Sequence, residues 1–176
     1  MALAPSHIYR ASSYPWRQHV GEDALAQLPE EVRRTKAQRA FVICGKTVAQ
    51  RTNLVERIRT VLGPLYAGMF DAMDKDSTWP AVQQGIAAAR AAGADLLIAV
   101  GGGSVIVGTR AVAILLAEQG DPYALMTQYP AGKPAYSPRL LAPKPPIINI
   151  ATTPTTARAT STTAAMRRAA GPAAKE

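Results

Sequence analysis

Short apolar runs alternate with stretches of helical spacing through most of the chain. Arg39-Ala-Phe-Val-Ile-Cys44 is a compact run ended by Gly45, the pattern of a strand buried on both faces. From Thr47 to Leu62 the apolar residues Val48, Val55, Ile58 and Leu62 fall on one side of a helix, and Gly63-Pro64 stops it. Leu65 to Phe70 reads as the next strand. Asp74-Lys-Asp-Ser-Thr-Trp-Pro80 is a turn with a cap and a proline near a helix start. An Ala-rich helix follows from Ala81 to Ala92 and ends at Gly93. Asp95 to Val100 is a third strand, and Val105 to Glu118 is helical.

The flanks are less regular. Ile8 to Val20 reads as a short hairpin or edge region. Two helical stretches follow, Ala24 to Leu28 and then Pro29 to about Lys36. Residues 120–146 are rich in Pro, Gly and Tyr and form a long connection, a length that signals a functional or lid-like loop. Ile147 to Ala151 is one more buried strand, running into Thr152-Thr-Pro-Thr-Thr156. This strand–helix alternation predicts an α/β fold with an open, mostly parallel, Rossmann-like sheet, flanking helices and an N-terminal hairpin. The expected division is a nucleotide-binding domain over 1–157 and an irregular or truncated tail over 158–176.

Composition narrows the function. A 176-residue chain that is 48% hydrophobic can bury a real core. One cysteine, Cys44, excludes an internal disulfide and a cysteine-based zinc site; burial at a strand end suits an inert thiol. Two histidines, His7 and His19, cannot make a His-rich metal cluster, and both read as surface or edge residues. The net charge of +8 comes with 14 arginines scattered along the chain, without a basic block interleaved with aromatics. That argues for a solvated Arg-rich surface rather than a nucleic-acid interface. The start lacks a basic-then-apolar leader, and no run approaches a membrane span, so a cytoplasmic location is expected.

The sharpest chemical feature is Ala99-Val100-Gly101-Gly102-Gly103-Ser104-Val105-Ile106, where a strand ends, three glycines turn and a helix opens at a serine. Glycines let a ligand approach the backbone, and the bared N–H groups and positive dipole end of the helix suit a phosphate or diphosphate. A tight turn without a ligand is the alternative, although three glycines exceed what one requires. Gly45-Lys46-Thr47 ends like a P-loop, but its leading glycine would fall at Ala40; Gly101 and Gly103 lack the third Rossmann glycine, which would fall at Ile106. Thr152 to Thr156 ends a strand on the same edge. Its hydroxyls and N–H groups could bind phosphate, ribose or carboxamide, or satisfy their own backbone. Tyr123, Tyr129 and Tyr136 read mainly as loop packing, and Trp79 beside Pro80 as a staple on the helix start.

Taken in order, Gly68-Met-Phe-Asp71, Val82 to Arg90, Gly93 to Ile106 and Pro145 to Ala157 resemble the N-terminal domain of iron-containing alcohol dehydrogenases. Glycerol dehydrogenase, maleylacetate reductase and dehydroquinate synthase are relatives of that family. The resemblance implies that Gly101, Gly102, Gly103 and Ser104 hold the diphosphate of NAD or NADP, and that Thr155 and Thr156 line the cofactor. It places Asp76 near a polar loop position on the adenosine side. It also implies an oxidoreductase that interconverts a small-molecule alcohol with an aldehyde or ketone by hydride transfer, commonly as a homodimer.

Three departures stand out. Val107 replaces an Asp of the family turn. Gly45, followed by Lys46, replaces an Asp that would accept from the adenosine ribose and favour NAD over NADP. Arg158-Ala-Thr-Ser replaces a Gly-rich segment, where an arginine pairs with phosphate or blocks the site. The family holds a divalent metal, iron or zinc, on a helical C-terminal domain that this sequence is expected to lack. The resulting expectation is a cofactor shelf that is catalytically incomplete alone, with no metal ligand assigned. A truncated or degenerate non-catalytic nucleotide-binding protein is the alternative.

Overall fold

The computed structural model describes residues 17–155. After a 3-10 turn at Ala24–Gln27, helix α1 (Leu28–Thr35) leads into strand β1 (Ala40–Cys44). Helices α2 (Lys46–Arg51) and α3 (Leu54–Leu62) and a 3-10 turn precede strand β2 (Tyr66–Phe70). Helix α4 (Trp79–Ala91), strand β3 (Leu96–Gly101), helix α5 (Gly103–Ala117) and strand β4 (Ile147–Ala151) complete the order.

Among the described residues, all three strand pairings are parallel, and the order across the sheet is β2-β1-β3-β4. The expected α/β architecture is therefore the observed one. Strand alternation sends side chains to two cores. Phe41, Ile43, Leu97 and Ala99 pack with Val82 and Ala89 of α4 and Ile106 and Val112 of α5. Val42, Cys44, Leu96, Ile98 and Val100 pack with Val32 of α1 and Val55, Ile58 and Leu62 of α3. A sheet covered on both faces explains why β1 and β3 are apolar at every position, with all their residues buried.

The strand entries are tied by one carboxylate. Asp95 accepts from the backbone N–H of Gln38 and of Arg39, both at 2.8 Å. These bonds fix the start of β1 beside the start of β3, and the pair then runs in register from Ala40 opposite Leu96 to Cys44 opposite Val100.

Several boundaries differ from the sequence expectation. The helix expected from Thr47 to Leu62 is two helices. Thr52 is extended between them (φ −138°, ψ 158°), and its hydroxyl donates to the Val48 carbonyl at 2.7 Å. A side chain that takes up a helical carbonyl competes with the next backbone turn. Helix α4 begins at Trp79 rather than Ala81, so Trp79 is its first residue and not a staple preceding it. Trp79 instead packs on the core and meets the Tyr123 ring at 6.4 Å between centroids. Ala24 to Leu28 is a 3-10 turn passing into α1. Residues 17–20 contain no strand, and the remainder of the expected hairpin lies outside the described residues, as do Thr156 and the tail.

The connection between α5 and β4 is long, as expected. Gln128 and Tyr136 bridge antiparallel within it, with N–H to carbonyl distances of 2.8 and 3.1 Å. Its far end is anchored at α5: the Lys144 ammonium pairs with the Glu118 carboxylate and donates to the Leu140 carbonyl at 2.8 Å. The same carboxylate accepts from the Ala142 N–H at 3.0 Å.

Candidate functional site at the carboxyl edge of the sheet

The strand order creates a break in chain direction. From β1 the chain moves outward to β2, then returns across β1 to β3 and continues the opposite way to β4. The carboxyl ends of β1 and β3 therefore flank a topological switch point, the place where open parallel sheets bind ligands. Gly45 follows β1 there, and Gly101-Gly102-Gly103 closes β3.

Each glycine of the turn faces something different. A Cβ built on Gly101 would stand 2.6 Å from Cγ2 of Val105, so that glycine is required by the fold of the turn itself. A Cβ on Gly102 would stand 3.0 Å from Oγ1 of Thr153, and one on Gly103 would stand 3.3 Å from Oγ1 of Thr155. The outer two glycines thus keep backbone open toward threonine hydroxyls. Gly102 and Gly103 are half-buried and Thr153 is exposed. The close approach is fixed by sheet register: Gly101 lies opposite Ala151, and the Thr152 N–H donates to the Gly101 carbonyl at 3.1 Å.

Helix α5 starts at Gly103 and runs for 15 residues. The N–H groups of its first turn lack acceptors within the helix, and the aligned peptide dipoles place partial positive charge there. No acidic residue stands in that first turn. These features make the start of α5 attractive to an anion.

A third segment completes the rim. The turn from Asp74 to Thr78 is held by the Asp74 carboxylate, which accepts from the Thr78 N–H at 2.9 Å and from the Thr78 hydroxyl at 2.5 Å. Asp76 and Ser77 both lie in the left-handed region, at φ 67° and 51°. The Asp76 N–H donates to the Ser104 hydroxyl oxygen at 3.2 Å. The Ser77 hydroxyl, 1% exposed, donates to the Ser104 carbonyl at 2.6 Å.

The structure therefore brings Gly101, Gly102, Gly103, Ser104, Thr155 and Asp76 together. Gly45 lies alongside: a Cβ there would stand 3.1 Å from the Met73 carbonyl and 3.9 Å from Val105 Cγ2. Thr156, the remaining residue of the expected set, lies outside the described residues. Ser77 and Thr153 were not singled out by sequence. Thr153 was visible only as part of its threonine run, and no pattern marks a serine that will adopt a positive φ.

The nearby thiol is not a nucleophile. Cys44 is wholly buried, and its burial, reinforced by the negative charge of Asp71, pushes its pKa up to about 11. His19 bonds to Glu31 at 3.1 Å, which Arg17 also engages at 3.0 Å. Among the described residues, no three His, Cys, Asp or Glu side chains come together in a way that could hold a metal ion.

Comparison with known proteins identifies the framework. The family model for iron-containing alcohol dehydrogenase matches residues 15–174. The chain belongs to the iron-containing alcohol dehydrogenase family. Maleylacetate reductase 2 of Cupriavidus pinatubonensis is 40% identical over 104 residues, covering 59% of this chain and 28% of that protein. Lactaldehyde reductase of Escherichia coli K12 is 30% identical over 141 residues, covering 78% of this chain and 34% of the relative. The chain thus spans about a third of the length of these curated relatives. Among solved structures, maleylacetate reductase from Agrobacterium tumefaciens superposes with a TM-score of 0.56 at 25% identity, over 81% of this chain and 42% of that one. An archaeal alcohol dehydrogenase from a Red Sea brine pool shares the fold, with a TM-score of 0.69 at 15% identity, over 81% of this chain and 36% of that one. No helix among the described residues of this iron-containing alcohol dehydrogenase relative is long and apolar enough to cross a membrane.

Proposed function

We propose that this chain is the dinucleotide-binding part of an oxidoreductase that interconverts an alcohol with an aldehyde or ketone. The diphosphate of NAD or NADP lies over Gly102 and Gly103, against the first turn of α5. The observation that carries this reading is the cradle itself: backbone left bare at two glycines, within reach of the Thr153 and Thr155 hydroxyls and beside a 15-residue helix start. When bound, the nicotinamide supplies hydride chemistry. The chain's own residues bind and orient it. Glycine N–H groups face the diphosphate, Ser104 and Thr155 supply hydroxyls, and Thr156 extends that row. Asp76 sits on the adenosine side.

Discrimination between the two dinucleotides rests on Gly45. In Rossmann-type sites an acidic side chain accepts from the ribose 2′-hydroxyl of NAD and repels a 2′-phosphate. Gly45 offers no carboxylate, and Lys46 follows it as an exposed cation. The reading is therefore one in which NADP is not rejected.

The metal that family members use to polarise the carbonyl oxygen does not fit the described residues, which assemble no ligand set. Residues 1–157 serve as the cofactor shelf. Titration of the chain with NADH and NADPH, followed by nicotinamide fluorescence, tests it. Saturable binding supports the reading, and indifference to both cofactors removes it.

A further inference from the structure

The turn from Asp74 to Thr78 is strained at two consecutive non-glycine residues, Asp76 and Ser77. Such conformations cost free energy and persist where surrounding contacts over-determine them. Besides the Asp74 bonds that close the turn, two contacts tie it to one residue of α5, Ser104. The Ser77 hydroxyl reaches the Ser104 carbonyl at 2.6 Å, and the Asp76 N–H reaches the Ser104 hydroxyl oxygen at 3.2 Å. A serine hydroxyl has one proton and two lone pairs. An amide donor on its oxygen occupies a lone pair and leaves the proton to be given elsewhere.

We propose that Ser77 is a positioning residue: its buried hydroxyl locks the left-handed turn onto α5, so that the Asp76 amide fills a lone pair of the Ser104 oxygen and orients its hydroxyl proton toward the cofactor diphosphate. The inference rests on the dinucleotide reading of the glycine turn. Ser77 itself touches only protein. Its effect passes through Ser104, which stands half-buried at the second position of α5. Loss of the Ser77 bond removes a buried tie between this turn and the start of α5, and the Asp76 amide shifts off the Ser104 oxygen. The serine then spends its proton on whichever acceptor is nearest.

The test is a double-mutant cycle on the 176-residue chain, read as the NADPH dissociation constant and the thermal midpoint. Ser77→Ala removes the hydroxyl and keeps the strain. Ser77→Gly removes the hydroxyl and relieves the strain, so it carries the measurement where the alanine variant folds poorly. Both weaken NADPH binding by about tenfold, the size of one lost hydrogen bond. In a Ser104→Ala background the same changes weaken it by less than about twofold, because the group they orient is gone. Thr109→Val, at a buried hydroxyl on the same helix, leaves the constant unchanged. Binding by Ser77→Gly within about twofold of the unaltered chain overturns the proposal while leaving the dinucleotide reading intact. An undiminished loss in the Ser104→Ala background also overturns it, since Ser77 would then act on the fold at large. An unaltered chain that binds neither NADPH nor NADH overturns both the reading and the proposal.

Discussion

Gly102 and Thr153 stand so close that a single added carbon at 102 would lie 3.0 Å from the Thr153 hydroxyl oxygen. The two residues follow the ends of different strands, and the parallel register of β3 with β4 makes them neighbours. Gly102→Ala therefore costs little stability, since the exposed threonine can rotate away. It weakens dinucleotide binding by about tenfold or more, because the new methyl occupies space above the turn. Parallel measurements of urea unfolding and cofactor titration separate these effects. A variant with unchanged affinity would show that the cradle is not used.

Gly101→Ala behaves in the opposite way. Its methyl would meet the β-branched Val105 of the first turn of α5, with Cβ at 2.9 Å and Cγ2 at 2.6 Å. Val105 is buried and has few rotamers to escape into. Overpacking of this kind costs about 1–3 kcal/mol. Denaturant unfolding reads it directly, and the Val105→Ala double variant recovers part of the loss.

Gly108 and Met73 form a matched pair. A Cβ at 108 would overlap the Met73 sulfur and stand 2.9 Å from its terminal methyl carbon, and Met73 is buried. Gly108→Ala gains about 1 kcal/mol of intrinsic helix propensity yet comes out destabilised, because the buried Met73 must move its sulfur, its methyl and its Cγ, which stands 3.1 Å away. Combined with Met73→Ala it loses less than the sum of the two single changes, as measured in a thermodynamic cycle.

Thr109 illustrates the cost of an orphaned group. Its hydroxyl is fully buried and finds no partner among the described residues. Thr109→Val removes an unsatisfied polar atom at nearly constant volume and is expected to stabilise the chain by about 1–2 kcal/mol in urea unfolding.

The pH dependence has two arms with opposite signs. Cys44 is raised in the folded chain to about 11 from an ordinary value of 9.0, by burial first and the Asp71 charge second. The unfolded thiol ionises first as pH rises, so this contribution is complete below pH 9 and is lost between about pH 9 and pH 11. Cys44→Ala flattens that part of the stability profile. Glu118 is held below the usual carboxylate range, chiefly by its bond to Lys144, with the Ala142 amide adding to it. Its contribution is present above the unfolded carboxylate value and is lost as pH falls through the lowered one. In Glu118→Gln, the protection of the Ala142 amide relative to its intrinsic exchange rate falls at neutral pH and no longer changes on acidification.

Much of this architecture could be read from the chain. The apolar runs of β1 and β3 are long enough and pure enough to announce a sheet covered on both faces. Gly101-Gly102-Gly103-Ser104 stood out because a run of three glycines between a strand and a helix has few other uses. What escaped were features that depend on distant pairings. Thr52 breaks a helix whose apolar spacing continues past it, because its hydroxyl captures the Val48 carbonyl. The role of Ser77 depends on α5 lying beside a turn 27 residues earlier. The contact of Thr153 with Gly102 depends on strand register, which composition does not encode.

The central claim is that the glycine turn and the start of α5 bind the diphosphate of a nicotinamide dinucleotide. Isothermal titration of the 176-residue chain with NADPH and NADH, repeated with a Gly102→Val variant, tests it most directly. The account predicts saturable binding of at least one cofactor by the unaltered chain, and its loss in the variant while the thermal midpoint stays close to that of the parent. A folded chain that binds neither cofactor, or a Gly102→Val variant that binds as tightly as the parent, would contradict it.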